Sequence, residues 1–279
     1  MKIVFIADFF AEQVLGGGEL NNEEFISIAG SLGFSVQKIQ SHFVTVEFLK
    51  RNKSAKFIVA NFINLHESVK RLLLSYEFVI YEHDHKYLKS RNPQIYKDFL
   101  APKHEIINYE FYKNAKAIFC QSKFHFEIIN KNLHLNNLIN LSGNLWASSA
   151  IELIRSFASV EKLEKCSIMD SPISHKNTRQ AVMFCKATGR EYELIPSLGH
   201  EEFLRKISKN KTLVFFPKTP ETLSRIAVEA RMMGMSVITN ELIGAAHEPW
   251  YNKKGLPLIE EVEKMRDRIP NRVLETLNE

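Results

Sequence analysis

Cysteine is scarce: Cys120, Cys166 and Cys185 are the three in the chain. They are odd in number, widely separated and without paired ligand spacing, which excludes a disulfide framework or a zinc cluster and reads as reduced thiols of a cytosolic protein. Long apolar runs are missing too. None approaches the ~18 residues needed to span a bilayer, so any membrane contact is expected to be peripheral, at the inner face. The start, MKIVFIADFF, has one Lys, an apolar run broken by Asp8 and no small-residue cleavage site. It reads as a first strand, not an export signal. No arginine-rich run or aromatic–basic alternation points to nucleic acid, and no short repeat or low-complexity stretch points to a solenoid or a disordered segment.

What is present suits a globular chain that folds throughout. The 279 residues are 45% hydrophobic and 25% charged, enough for two domains of roughly 100 to 150 residues each. Lys and Arg total 37 against 32 Asp and Glu, a net charge of +5. That mild excess fits a Lys-rich solvated surface and equally an anionic partner such as a phosphorylated small molecule.

Residues 3–7, IVFIA, form the continuous apolar run of a strand buried on both faces of a parallel sheet. After Gly16-Gly17-Gly18-Glu19, the residues Phe25, Ile28, Ala29 and Leu32 recur at helical spacing until Gly33, and FSVQKI then reads as a strand. The alternation continues through KFIVANF, helix ESVKRLLLSY, FVIYEH, AKAIFCQS and a helix from Lys123 to about Asn132. Repeated βαβα predicts a doubly wound parallel sheet. The segment 141–165 is the predicted junction, and beyond it the alternation restarts with CSIMD, TRQAVMFCKATG, EYELIP, HEEFLRKIS, TLVFFP, TLSRIAVEARMMG and SVITN. The boundaries expected are 1–150, 151–258 and a terminal helical segment 259–279, in which Pro270 suggests a helix pair.

The most informative stretch is PKTPETLSRIAVEARMMGMSVITN, residues 217–240. Leu223, Ile226, Ala230 and Met233 fall on one helical face and Glu229 lies off that stripe. Glu221 stands at the helix mouth, so eight helical residues would separate the two carboxylates by about 12 Å. That separation suits the two ends of a nucleotide sugar, with the helix N-terminus between them offering amides and a positive dipole end to a diphosphate. A local reading stays open: Thr219 as cap, Pro220 at the first position and Glu221 favouring the dipole.

This segment resembles the Glu-(seven residues)-Glu motif of retaining GT-B glycosyltransferases, particularly family 4. Glu229-Ala230 followed by Gly234, the strand Ser236-Val237-Ile238 and the loop Gly244 to Glu248 keep that family's order, and the GGxE run Gly16-Gly17-Gly18-Glu19, IAGSLGFSV, and AKAIFCQSKFH ending its strand at Ser122 are similar to its first half. The resemblance implies an α/β GT-B fold, two Rossmann-like domains facing a cleft, with donor held by the second and acceptor by the first. It implies retained anomeric configuration, no cofactor, no obligatory metal, and a nucleotide-diphosphate sugar, UDP- or GDP-linked, as substrate. Glu221 would hold the transferred sugar and Glu229 the ribose, while Gly17 and Gly18 let backbone approach donor phosphate or acceptor. His83 of VIYEHDHKYL matches the family's His-Asp pair and would contact the sugar or assist the leaving group, with Asp84 orienting. Lys176 and Arg225 are the expected donor clamp. The family's Arg, however, is replaced by Asp170, whose charge Arg179, Arg225 or Lys218 would have to offset.

Rival readings fare worse. A dinucleotide GxGxxG opens directly after its strand with an acid closing the next, whereas eight residues precede Gly16 here and FSVQKIQS has no acid. There is no GxSxG elbow. His83 and His85, on one side of an extended strand, would be a conceivable metal pair. Two further readings stay open: a degenerate GT-B domain that binds a nucleotide sugar or a protein partner without transfer, and a transferase acting on a modified nucleic-acid base. Donor, acceptor and oligomeric state are not set by the sequence.

Overall fold

The computed structural model describes residues 1–279, which fall into two compact units: residues 1–145 with 265–279, and residues 146–264. In the first unit the order is Lys2–Ala7 (β1), Gly17–Ser31 (α1), Ser35–Gln40 (β2), Val46–Arg51 (α2), Lys56–Val59 (β3), Glu67–Leu73 (α3), Phe78–Tyr81 (β4), Tyr109–Asn114 (α4), Ile118–Cys120 (β5), Lys123–Leu133 (α5) and Leu138–Asn140 (β6). Its six strands are all parallel in the order β2-β1-β3-β4-β5-β6. Ile3 to Ala7 are fully buried, which fits an apolar run covered on both faces, each large side chain contributing roughly 1.5–3 kcal/mol. Edge strand β2 is only half-buried, which is why polar residues interrupt it.

The second unit contains Ser148–Ala158 (α6), Leu163–Met169 (β7), Thr178–Ala187 (α7), Tyr192–Ile195 (β8), His200–Ile207 (α8), Asn210–Phe215 (β9), Arg225–Met232 (α9) and Ser236–Thr239 (β10). Its parallel sheet runs β10-β9-β7-β8. Relabelled from its own first strand, this is the 2-1-3-4 order of the first unit. The winding reverses at β1/β3 and at β7/β9, and in open α/β sheets ligands bind outside the carboxyl ends of the strands at such points.

The chain ends in one helix, Leu256–Asn278 (α10), where Pro270 suggested a pair. Residues to Lys264 belong to the second unit and those from Met265 to the first. Ile269 just before the proline and Val273, Leu274 and Leu277 after it are buried, so packing of one apolar face offsets the lost backbone bond.

Candidate functional site

In the second unit the loops after β7 and β9 meet through side chains. Lys176 lies in a short 3₁₀ turn after β7, and its Nζ is 2.8 Å from Glu221 Oε1 in the loop after β9. Lys176 also sits 5.7 Å from the centroid of the Phe215 ring. Glu221 does not stand at a helix mouth. Glu221 instead forms an isolated parallel bridge with Ile243, just before a 3₁₀ turn at Gly244–His247: Glu221 N–H donates to Leu242 O at 2.8 Å, and Gly244 N–H to Glu221 O at 2.9 Å. Helix α9 starts at Arg225, with Ser224 as its N-cap in left-handed backbone, φ 76°. The cap formed by Thr219 and Pro220 is therefore not made, and the ~12 Å helical spacing does not apply, because the residues from Thr222 to Ser224 between the two glutamates are not helical.

Glu229 is likewise corrected. The helix is short and enclosed, and Ala227, Val228, Glu229, Ala230 and Met232 are all buried, so Glu229 faces inward. Its Oε1 accepts from Trp146 Nε1 at 2.8 Å and from His200 Nε2 at 3.1 Å, with Arg225 Nη2 at 3.7 Å. Burial pushes this carboxyl upward, but the His200 hydrogen bond, His200 and Arg225 charge and the Trp146 donor together hold it down at about 2. The same contact raises His200 above the ordinary histidine value, against burial. Arg225 does not turn back over the helix start: its guanidinium carbon lies 4.4 Å from the Trp146 ring centroid, a cation–π contact. Asp170, Arg179 and Lys218 are exposed. Neither His200 nor Trp146 was singled out by the sequence. One opens the predicted helix HEEFLRKIS and the other lies in the predicted junction, and nothing local links either to Glu229.

In the first unit, Gly17 and Gly18 are not a loop but the first turn of α1, with Gly16 as N-cap. Neither has positive φ. A Cβ on Gly18 would sit 3.4 Å from His83 Cγ, an ordinary contact distance, so the imidazole packs against this turn of α1 without the position demanding glycine. His83 follows β4 in a loop rather than an extended strand. Its Nε2 is 2.5 Å from Asn22 Oδ1, and its Nδ1 is bonded to the Gln121 side-chain amide. His85 is fully buried against Tyr87 and His125, and burial lowers it to about 4. The two histidines thus have different surroundings and do not act as a pair. Asp84 pairs with Arg91, and its carbonyl accepts from His125 Nε2 at 3.0 Å.

Beneath this loop Glu82 is fully buried. Its carboxylate accepts from Lys86 Nζ, the Tyr112 hydroxyl and the backbone N–H groups of His83 at 3.1 Å and Asp84 at 2.9 Å. Asn21, Asn22, Gln121 and Asn144 are buried beside it, and Asn22 Nδ2 and Asn144 Oδ1 have no hydrogen-bond partner. No group of three or more acidic, His or Cys side chains is arranged to hold a metal ion, and no helix is long and apolar enough to cross a membrane.

Two doubly wound parallel units with repeated strand order define the GT-B fold, and solved structures agree. An alpha-glucosyltransferase in complex with UDP and a 13-mer DNA containing an HMU base is similar over 99% of this chain and 95% of that chain, with TM-score 0.52 and 12% identity. HepE of Anabaena in complex with UDP and glucose is similar over 99% and 92%, with TM-score 0.54 and 12% identity. A glycosyltransferase from Rickettsia africae is similar over 99% and 93%, with TM-score 0.51 and 12% identity. At such identity the likeness is one of fold. No protein-family model matches the chain, and no curated protein does.

Proposed function

We propose that the chain is a glycosyltransferase that moves a sugar from a nucleotide-diphosphate sugar, UDP- or GDP-linked, to a hydroxyl acceptor with retention of configuration. The observation that carries this reading is the pairing of Lys176 with Glu221 at the carboxyl ends of β7 and β9. On this reading Lys176 exchanges Glu221 for the donor diphosphate, and the freed carboxylate accepts hydrogen bonds from sugar hydroxyls. Leaving-group charge grows as the glycosidic bond breaks, and a fixed cation with the amides at the start of α9 stabilises it. Glu229, kept ionised in a buried setting, is the acceptor for ribose hydroxyls. His83 is the first unit's own candidate for contact with a sugar, and no metal is required.

The test compares Lys176→Ala, Glu221→Ala and the parent in turnover of UDP- and GDP-sugars. Each variant should lose at least about tenfold in kcat/KM, equivalent to 1.4 kcal/mol, with unchanged unfolding. Parental turnover in both would end the donor-site assignment. Asp170→Arg, adding the charge that position lacks, should raise donor affinity. Activity should also survive EDTA.

The likeness to a structure containing DNA with an HMU base favours one second reading of the acceptor, a modified base in nucleic acid. Supplying hydroxymethylated DNA and free glycan acceptors side by side separates the two, since transfer to one alone identifies the class. Donor binding without transfer to any acceptor, and without donor hydrolysis, would instead identify a degenerate domain.

A further inference from the structure

We propose that Gln121 is a positioning residue that holds His83 as a neutral imidazole protonated on Nε2, through a one-way chain of side-chain hydrogen bonds from Asn144 to Gln121 to His83 to Asn22. The proposal deepens the transferase reading given above, because it says in which state the histidine meets a sugar: as a neutral ring, not as an acid.

The direction of the chain follows from its links. Asn144 Nδ2 donates to Gln121 Oε1 at 3.2 Å, which turns the Gln121 amide nitrogen toward His83. That nitrogen donates to His83 Nδ1, and a ring nitrogen that accepts a hydrogen bond carries no proton. The proton is then on Nε2, which faces Asn22 Oδ1 at 2.5 Å. All three amides are buried, Asn22 fully and Gln121 and Asn144 to within 4%, so they do not exchange orientation freely with water. Adding a second proton to His83 would set N–H against N–H at Gln121. Relieving it would require both Gln121 and Asn144 to turn over.

The ionisable groups around the ring do not favour imidazolium either. In its own loop, Glu82 is bonded to Lys86, Tyr112 and two backbone amides, and Asp84 to Arg91. From α5, His125 accepts the Gln121 backbone N–H at Nδ1 at 3.2 Å and donates from Nε2 to Asp84 O, so it too is a neutral donor toward the loop. Tyr81 packs edge-on at 5.0 Å. Glu19, on the α1 turn that brings Gly18 to the ring, is half-buried, and burial raises its carboxyl toward the uncharged form. The nearby carboxylates are thus engaged by cations and donors or disfavoured as anions, and the amide at Nδ1 is the contact that selects the tautomer.

The experiment uses the full chain labelled with ¹⁵N-histidine, with the His83 signals identified by their loss in His83→Gln. Long-range ¹H–¹⁵N spectra across pH 5 to 8 report charge and tautomer directly. In the parent, His83 should be the Nε2–H tautomer at pH 7 and should titrate below the ordinary midpoint of about 6.5. Gln121→Glu places a carboxylate against Nδ1 and should raise the midpoint by about one unit or more. Gln121→Met removes the donor and should let the Nδ1–H tautomer appear. Imidazolium or a predominant Nδ1–H form in the parent would overturn the proposal. So would an unaltered His83 spectrum in the Met variant, which keeps the test open should the Glu variant not fold. Neither spectrum needs a donor or an acceptor. A chain that shows this tautomer but binds no nucleoside diphosphate would refute the transferase reading and leave the role of Gln121 standing.

Discussion

Glu229 is an ionised carboxyl in a buried site, and its three neighbours decide whether that stabilises or destabilises the fold. Its value of about 2, against 4.5 in the unfolded chain, means that its contribution is fully present above about pH 4.5 and is lost as pH falls toward 2, on the order of 3 kcal/mol. His200 has the opposite sign. Its raised value gives stability that is full below about 6.5 and lost as pH rises through the folded value. The pair should therefore stabilise most between roughly pH 4.5 and 6.5. Urea unfolding of the parent and Glu229→Gln at pH 3, 5.5 and 9 should show the largest difference at 5.5, and a difference independent of pH would contradict the pairing. Trp146→Phe, which leaves the carboxylate without its indole donor, should cost roughly 1–3 kcal/mol in the same assay. The two glutamates were picked out in the sequence by their separation, not by what surrounds them in the fold. Their partners were not, because Trp146 and His200 lie 83 and 29 residues from Glu229 and only the fold brings them together.

At the scale of elements, α9 shows what local sequence can and cannot say. Its end was readable: Gly234 has φ 79°, Met235 N–H reaches Ala230 O at 2.9 Å and Gly234 N–H reaches Arg231 O at 3.0 Å, a Schellman ending that needs left-handed backbone. A Cβ there would also fall 2.7 Å from the Ala158 carbonyl oxygen. Gly234→Ala should thus destabilise by on the order of 2–3 kcal/mol, and Gly189→Ala, with φ 63° but open space around it, by only about 1 kcal/mol. Equal losses in thermal unfolding would show that the Ala158 contact is unimportant. The start of α9 was not readable, because backbone bonds from Glu221 and Leu223 to residues 242–245 draw Pro220 to Ser224 out of the helix, a long-range competition no window of sequence contains. The same limit applies to the short β6 and α4, which have too few residues to show a period, whereas the buried runs of β1 and β9 were plain.

For the molecule as a whole, two sheets with the same winding were expected from the alternating pattern, and the structure has them. Ligand that binds only the folded state raises the unfolding midpoint, so UDP or GDP at a hundredfold excess over its Kd should stabilise the parent by about 2.7 kcal/mol, with or without EDTA. Failure of every nucleoside diphosphate to move the midpoint would count against the donor site.

The ion pair between Lys176 and Glu221 carries one further consequence. A cation already satisfied by an internal anion is a poor trap for chloride or a lone phosphate, so only a ligand rich enough in charge and hydroxyls to engage both partners at once displaces the contact. On the proposed function, once the sugar has left, the remaining nucleoside diphosphate would no longer occupy the carboxylate, which would then be free to reclaim the lysine and drive the spent product off. Glu221→Gln should accordingly bind UDP more tightly than the parent in calorimetry while turning over more slowly, and weaker UDP binding in that variant would show that the carboxylate does not act as an internal rival of the product.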